Sequence, residues 1–459
     1  MAANLYYTPS TYSSSTTGTF SFWIKRGKLS SEGNTVIWSN TSTNDNNRTY
    51  FSINSDDKIR VSVQYSGSDD DNVTNAKFRD TFGWMHIVIR LDSTQGTAAN
   101  RCVIWVNGEQ QSMSSNAGTP SGNITAFQTS LSNSHFWGGI YGSASGLDNA
   151  YLTQCVYCDG QAYSASNFGE TDSTTGEWKP KTDLSGLTFG NNGYWLKFEN
   201  SANMGLDSSG NSNNLTNNSN EVLQVADNPS NVFATFNPIS GSGTMAGNAT
   251  FSNGNNTVLC AGSVYNPFGS TIGVNKGKYY AEFKTLNEPG DGMIGIFAKL
   301  GASGNYIGSQ THQYSWYRSS GNTGRIRNNS NDIVTGIGGY TTNDIIGIAL
   351  DCDNNKLYMH KNGTYISNGS GTGDPTNGNY GISITDPDDT DLGFYFMTAM
   401  DWGGSGRGNW SANFGNGYFG TTAVATNSGN GYQDVDGNGI FNYTVPTNYR
   451  ALCTKGLNQ

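Results

Sequence analysis

Histidine, proline and cysteine are scarce in this chain of 459 residues, which holds 4 His, 10 Pro and 6 Cys, and only 13% of its residues are charged. Lys and Arg number 25 against 35 Asp and Glu, a net charge of −10 that has the wrong sign for neutralising nucleic-acid phosphates. Apolar runs are short. The longest aliphatic stretch, Ile345 to Leu350, is broken by Gly347 and falls far below the roughly 20 residues that span a bilayer. The opening Met-Ala-Ala-Asn-Leu-Tyr-Tyr has neither a basic nor an apolar region, so no secretory signal is read and synthesis in a cytosol is expected. Nucleic acid and membrane insertion drop out as expected partners.

What the chain has in abundance is glycine, asparagine and aromatics: 60 Gly, 57 Asn, 25 Tyr, 21 Phe and 10 Trp. Gly and Asn are poor helix formers that supply positive φ in tight turns, while the aromatics suit pleated, half-buried surfaces. The composition therefore predicts an all-β protein, and the length leaves room for about two to four domains. The local pattern agrees. Phe20, Phe22 and Ile24 alternate on one face, and Trp84 to Leu91 and Arg101 to Val106 read as strands, the second closing at Asn107-Gly108. Further on, Ile346, Ile348 and Leu350 share a face, Asp353-Asn354-Asn355 turns the chain, Leu357 and Met359 return, and a second hairpin closes at Asn362-Gly363. These signals predict two β-sandwich domains, 1–182 and 238–459, joined by an irregular connector, 183–237, that carries a strand and an Asn-rich loop.

Specific segments sharpen the fold. Phe20-Ser-Phe-Trp-Ile-Lys25, Gly83-Trp-Met-His-Ile-Val-Ile-Arg-Leu-Asp92 and Val103-Ile-Trp-Val-Asn-Gly108, in that order, resemble a concanavalin-like, laminin-G-like jelly roll. Gly277-Lys-Tyr-Tyr-Ala-Glu-Phe283, Ile294-Gly-Ile-Phe297 and the run from Asp344 to Gly363 resemble a SPRY sandwich. Three more pieces resemble structural proteins of marine tailed bacteriophages: Asp159 to Asp172 with Trp178-Lys-Pro180, Tyr194 to Asn214, and Asp436-Gly-Asn-Gly-Ile-Phe-Asn-Tyr443 leading to Arg450-Ala-Leu-Cys453. That resemblance implies a virion protein assembled in a host cytoplasm, of tail-fibre or host-recognition type, with other virion proteins of the tail, an adaptor or the capsid as partners. The first sandwich begins almost at Met1, so attachment to the particle is expected through a folded surface or an adaptor.

Motifs for catalysis are absent. His86, His135, His312 and His360 sit in no metal or nucleophile pattern, and His86 and His360 alternate within strands, where packing on a sheet is expected. Asp69-Asp70-Asp71 and Asp386 to Asp391 read as loops, and no alternating glycosidase acid motif is present. The chain is therefore read as a non-enzyme. The six cysteines are expected to be reduced apolar fillers, since Cys155 and Cys158, three apart on a strand, point to opposite faces.

Two binding chemistries remain. Asp434-Val-Asp-Gly-Asn-Gly439 matches the opening of a calcium loop, with Asp434, Asp436 and Asn438 as ligands; Val445 stands where a closing Glu would be, and an Asx turn without an ion is the alternative. Asp207 is a weaker second candidate. Glycan binding needs an aromatic platform with polar neighbours. Tyr314, Trp316 and Arg318 can share one strand face, with a buried core strand as the alternative, and Trp402 and Trp410 lie among glycines. Trp23, Trp84 and Trp105 are assigned to the first core. The expected role is adhesion to a host glycan or envelope component by a homo-oligomer, for which a trimer would fit fibre symmetry; the alternatives are capsid decoration or head fibre and, last, a glycan-degrading enzyme.

Overall fold

The computed structural model describes residues 4–9, 16–27, 29, 35–41, 48–65, 68–116, 134–139, 147, 149–218, 222–239, 249–260, 265, 267–300, 305–319, 321–402, 408–424 and 432–457. Nearly all regular structure among them is antiparallel β, with one α-helix, Thr454–Leu457. The chain divides into two compact units, 1–224 with 228–230, and 225–227 with 231–459.

The first unit pairs an eight-stranded with a six-stranded sheet. Alternation fixes what faces inward. Phe20, Phe22 and Ile24 of Thr17–Arg26 join Ile87, Ile89 and Leu91 of Trp84–Asp92 on one side of the core, and meet Phe51, Ile53, Val61 and Val63 from the other sheet. The hairpin at Asn107-Gly108 forms with φ of 48° and 84°, as a primed turn requires. Residues 183–224, read from the sequence as connector, are built into this unit: Tyr194–Leu196 pairs with Ala150–Asp159, and Thr216–Asn218 pairs with Asn4–Tyr7. Asp207 organises the intervening loop by accepting from the amides of Trp195, Ser209 and Asn213.

Trp23, Trp84 and Trp105 do not enter the main core. They alternate with the core-facing residues of their strands, on the far side of the six-stranded sheet, where residues 163–189 form a second layer. There the indole of Trp178 donates to His86 Nδ1 at 2.9 Å, which leaves Nε2–H to donate to Ser21 Oγ at 2.8 Å. Asp69–Asp71 also depart from expectation: they lie in the strand Ser68–Thr74, and Asp71 pairs with Arg60 at 2.7 Å. The alternation between sulfurs holds. Cys155 packs in the main core and Cys158 in the second layer, and all six cysteines are buried and unbridged.

The second unit is a nine-stranded and a six-stranded sheet. Lys278–Thr285, Ile345–Asp351 and Lys356–Lys361 run side by side in the larger sheet; Phe268–Gly269, Phe396–Asp401, Gly292–Phe297, Gln313–Ser319, Thr323–Asn328 and Asn331–Thr335 form the smaller. Ile346, Ile348, Leu350 and Leu357 are fully buried. The far side of the larger sheet is sealed by the C-terminal segment: Tyr280, Ala349 and Tyr358 pack against Phe441, Val445, Tyr449 and Ala451. Glu282, also buried, holds that segment by accepting from the amides of Asn442 at 2.9 Å and Tyr443 at 2.8 Å.

Candidate functional site

The smaller sheet of the second unit has two faces, and the sequence pattern alone does not say which is open. Tyr314, Trp316 and Arg318 do share a face, but it is the inner one. Trp316 is fully buried, donates Nε1–H to the Gly338 carbonyl at 3.1 Å and meets Tyr340 edge-on at 5.7 Å. Trp410 lies on the other side of Tyr340, ring centroids 5.6 Å apart, and is equally buried. Both indoles are core and neither is a ligand platform, because the larger sheet covers this side. Tyr314 is buried as well, its hydroxyl 3.2 Å from Thr385 Oγ1, at the wall of an open pocket of about 380 Å³ at the sandwich edge.

Arg318 is 4% exposed and turns its guanidinium to a neighbouring loop, donating to the carbonyls of Pro289 and Gly290 and to the Glu288 carboxylate. It fixes that loop and is not available to a ligand. Asp401 fixes the same loop from Phe396–Asp401, on the other side of Gly292–Phe297, accepting from the amides of Gly290 at 3.2 Å and Asp291 at 2.9 Å, and from Gly408. Burial pushes the Asp401 carboxyl up to about 6 against the opposing pull of these N–H groups.

The outer face presents what the inner face does not. Here Met293, Phe297, Ile307 and Met400 form a small buried floor, and the half-buried rings of Tyr265, Tyr306 and Tyr317 pack on it. Trp402, the one sequence-selected indole that stays partly exposed, lies with its ring centroid 4.4 Å from that of Tyr265. The neighbouring 403–407 lie outside the described residues. Arg327 stacks at 4.3 Å over Tyr317 and at 5.5 Å over Tyr306, and Arg325 lies 5.3 Å over Tyr317. Asp332 receives both guanidinium groups, at 2.8 Å from Arg327 and 3.0 Å from Arg325. Burial raises the Asp332 carboxyl, but these bonds outweigh it and hold the group below its ordinary value. Tyr317 donates its hydroxyl to Asp291 at 2.7 Å, and burial together with that carboxylate pushes the phenol upward.

Four aromatic rings, two planar cations and two carboxylates thus converge on one face, with charges matched. Half-exposed rings accept the C–H faces of sugars, and guanidinium and carboxylate groups pair with hydroxyls. Tyr317 sits inside the sequence segment that supplied Trp316, one residue out of phase, and the alternating Arg325 and Arg327 are the signal that could have marked this face.

At the C-terminal loop, Asp434 accepts from the amides of Asp436 at 3.0 Å and Asn438 at 2.7 Å, and its second oxygen accepts from Ala451 at 2.9 Å. Asp436 pairs with Arg450 at 2.6 Å, and Asn438 Oδ1 accepts from Asn231 at 3.3 Å. All three side chains serve the loop's own hydrogen bonds. A donor set so engaged with N–H groups does not fit a calcium ion without rebuilding, and among the described residues no group of three or more His, Cys, Asp or Glu could hold a metal.

Residues 4–145 match the family model described as the Concanavalin A-like lectin/glucanases superfamily. No curated protein matches the chain. Among solved structures, the SPRY domain of human HERC1 aligns over 36% of this chain and 91% of its own at 14% identity and a TM-score of 0.28, and the TRIM65 PSpry domain over 39% and 89% at 13% and 0.28. The heptameric SAP-like pentraxin from Limulus polyphemus aligns over 35% and 71% at 17% identity and a TM-score of 0.26.

Proposed function

We propose that the chain is a non-enzymatic virion protein of a tailed phage, tail fibre or tail-associated, that adheres to a host surface glycan through the outer face of its second unit. The observation that carries the binding role is the open cluster of Trp402, Tyr265, Tyr306 and Tyr317 with Arg325 and Arg327, a surface able to stack on sugar rings while pairing with their hydroxyls. The phage setting rests on the sequence segments named above. A binding role also suits three of the four histidines: His86, His135 and His360 are buried, and burial lowers each to about 3, so none of these three stands as a base at an open surface. Each contact would be weak, and several copies on one particle would raise the avidity through effective concentration.

Gold-antibody labelling of intact particles tests the setting. Label at the tail or its fibres is expected; label spread over the head would replace adhesion by capsid decoration, and particles without label would remove the virion assignment.

A further inference from the structure

The aromatic cluster on the outer face of the second unit runs in order from rings to charge. Trp402 meets Tyr265 at 4.4 Å between centroids, Tyr265 meets Tyr306 at 5.5 Å, and the Arg327 guanidinium lies 5.5 Å from the Tyr306 ring and 4.3 Å from that of Tyr317. Indole and phenol rings stand at one end and a planar cation at the other.

At the charged end two cations share one carboxylate. Arg327 donates Nε–H to Asp332 Oδ1 at 2.8 Å and Arg325 donates Nη1–H to Oδ2 at 3.0 Å, so both oxygens of Asp332 are taken, and Arg325 gives Nη2–H to Ser319 Oγ at 3.2 Å. The second carboxylate of the face, Asp291, accepts from the Tyr317 hydroxyl instead and pairs with neither arginine. One positive charge is therefore left over beside Asp332. It is within reach of solvent, since the Arg327 side chain is 20% exposed, and its Nη1 and Nη2 groups bond to no described residue. Two such N–H groups side by side match the two oxygens of a carboxylate. The whole chain carries a net charge of −10, which repels acidic ligands in general, so only a local surplus of this kind can favour one.

We infer that the ligand of this face is acidic, a uronate-bearing sugar chain whose carboxylate docks on the Nη1 and Nη2 groups of Arg327 while a neighbouring pyranose ring lies on Trp402 and Tyr265. The inference rests on the glycan-binding reading of the face and specifies the charge of what binds there. The full-length protein is titrated by calorimetry with hexagalacturonate, hexamannuronate and hexaguluronate, each beside its carboxyl-reduced, neutral counterpart. At least one uronate is expected to bind saturably and at least tenfold more tightly than its reduced form. Arg327→Gln is expected to cut that preference to less than twofold. Asp332→Asn, which removes the shared carboxylate, is expected to raise affinity for the uronate severalfold and to leave that for the reduced form unchanged, whereas a merely structural role for the pair would move both forms alike. Reduced forms that bind as tightly as the uronates, a preference that survives Arg327→Gln, or an Asp332→Asn variant that shifts both forms equally overturns the inference and leaves the glycan reading of the face standing. Absence of saturable binding by all six sugars overturns it too, and binding of intact host polysaccharide then decides separately whether the glycan reading falls with it.

Discussion

The rings of Trp402 and Tyr265 meet at 4.4 Å between centroids on the outer face of the second unit, while Trp316, on the inner face, contacts Tyr340 and is fully buried. Two indoles in one sandwich therefore have opposite duties. Trp316→Ala is expected to destabilise the unit by about 3–5 kcal/mol through the cavity it leaves. Trp402→Ala is expected to change stability by less than about 1 kcal/mol and to weaken glycan binding at the outer face at least tenfold. Denaturant titration alongside a binding assay separates the two; binding lost only where stability is lost would contradict the assignment.

On the proposed binding role, Arg318 would act only through the loop it holds. Removing its guanidinium leaves the Pro289 and Gly290 carbonyls without their donor, and the Asp291 that receives the Tyr317 hydroxyl loses its support. Arg318→Met should weaken glycan binding severalfold, while Arg318→Lys restores part of it, since an ammonium reaches one carbonyl but cannot fork across two. Equal affinity in all three proteins would show that the loop needs no such support.

The two units should respond oppositely to mild acid. In the first, His86 and His135 are lowered by burial from 6.5 to about 3, so between those values the unfolded chain binds protons that the folded chain refuses. Stability is full above about 6.5 and is lost as pH falls, by about 1.4 kcal/mol per group and pH unit. In the second unit His360 acts in the same sense, but burial raises Glu282 from 4.5 to about 7 and Asp401 from 3.8 to about 6. These acids hold protons in the folded state that the unfolded chain has released, so their contribution is present at low pH and is lost as pH rises. Between about 4.5 and 6 two acids oppose one histidine. Calorimetry at pH 7 and pH 5, with Trp316→Ala marking the second unit's transition, should show the first unit's melting temperature falling and the second's holding or rising.

Gly347 leaves room for a buried network. A Cβ there would lie 1.9 Å from His360 Nε2, the atom 2.7 Å from the Tyr280 hydroxyl, which in turn reaches Glu282 at 3.0 Å. The Gly363 amide donates to His360 Nδ1 at 3.1 Å, so the ring carries its proton on Nε2 and gives it to Tyr280, whose own proton goes to Glu282. Gly347→Ala should cost about 1–3 kcal/mol by displacing the imidazole. Hydrogen exchange at Asn442 and Tyr443, whose amides bond to Glu282, should rise with it.

Much of the fold was legible because turns and alternation are local. Asn107-Gly108 and Asn362-Gly363 adopt the positive φ that their hairpins need, Phe20, Phe22 and Ile24 share the core face, and the spacing of Cys155 and Cys158 separates their sulfurs. The site was legible only in Trp402. A period of two tells which residues share a face of a sheet but not which face another layer covers, and so Tyr314, Trp316 and Arg318 lie on the buried side, while Trp410, read as loop-borne among glycines, lies in the buried strand Asn409–Asn413. Tyr265, Tyr306, Tyr317 and Arg327 come from four separate segments, and only the folded chain brings them together. The Asp434 loop misled for a related reason: alternating Asp and Asn satisfy backbone amides as readily as a cation.

The most direct test of the account is the affinity of the full-length protein, and of its Trp402→Ala and Arg327→Ala variants, for surface polysaccharide purified from a host bacterium of the proposed virion. The wild-type chain is expected to bind saturably, and each substitution to weaken binding at least tenfold while leaving the melting temperature within about 2 °C. Undiminished binding by both variants would contradict the claim that the outer face of the second unit carries adhesion.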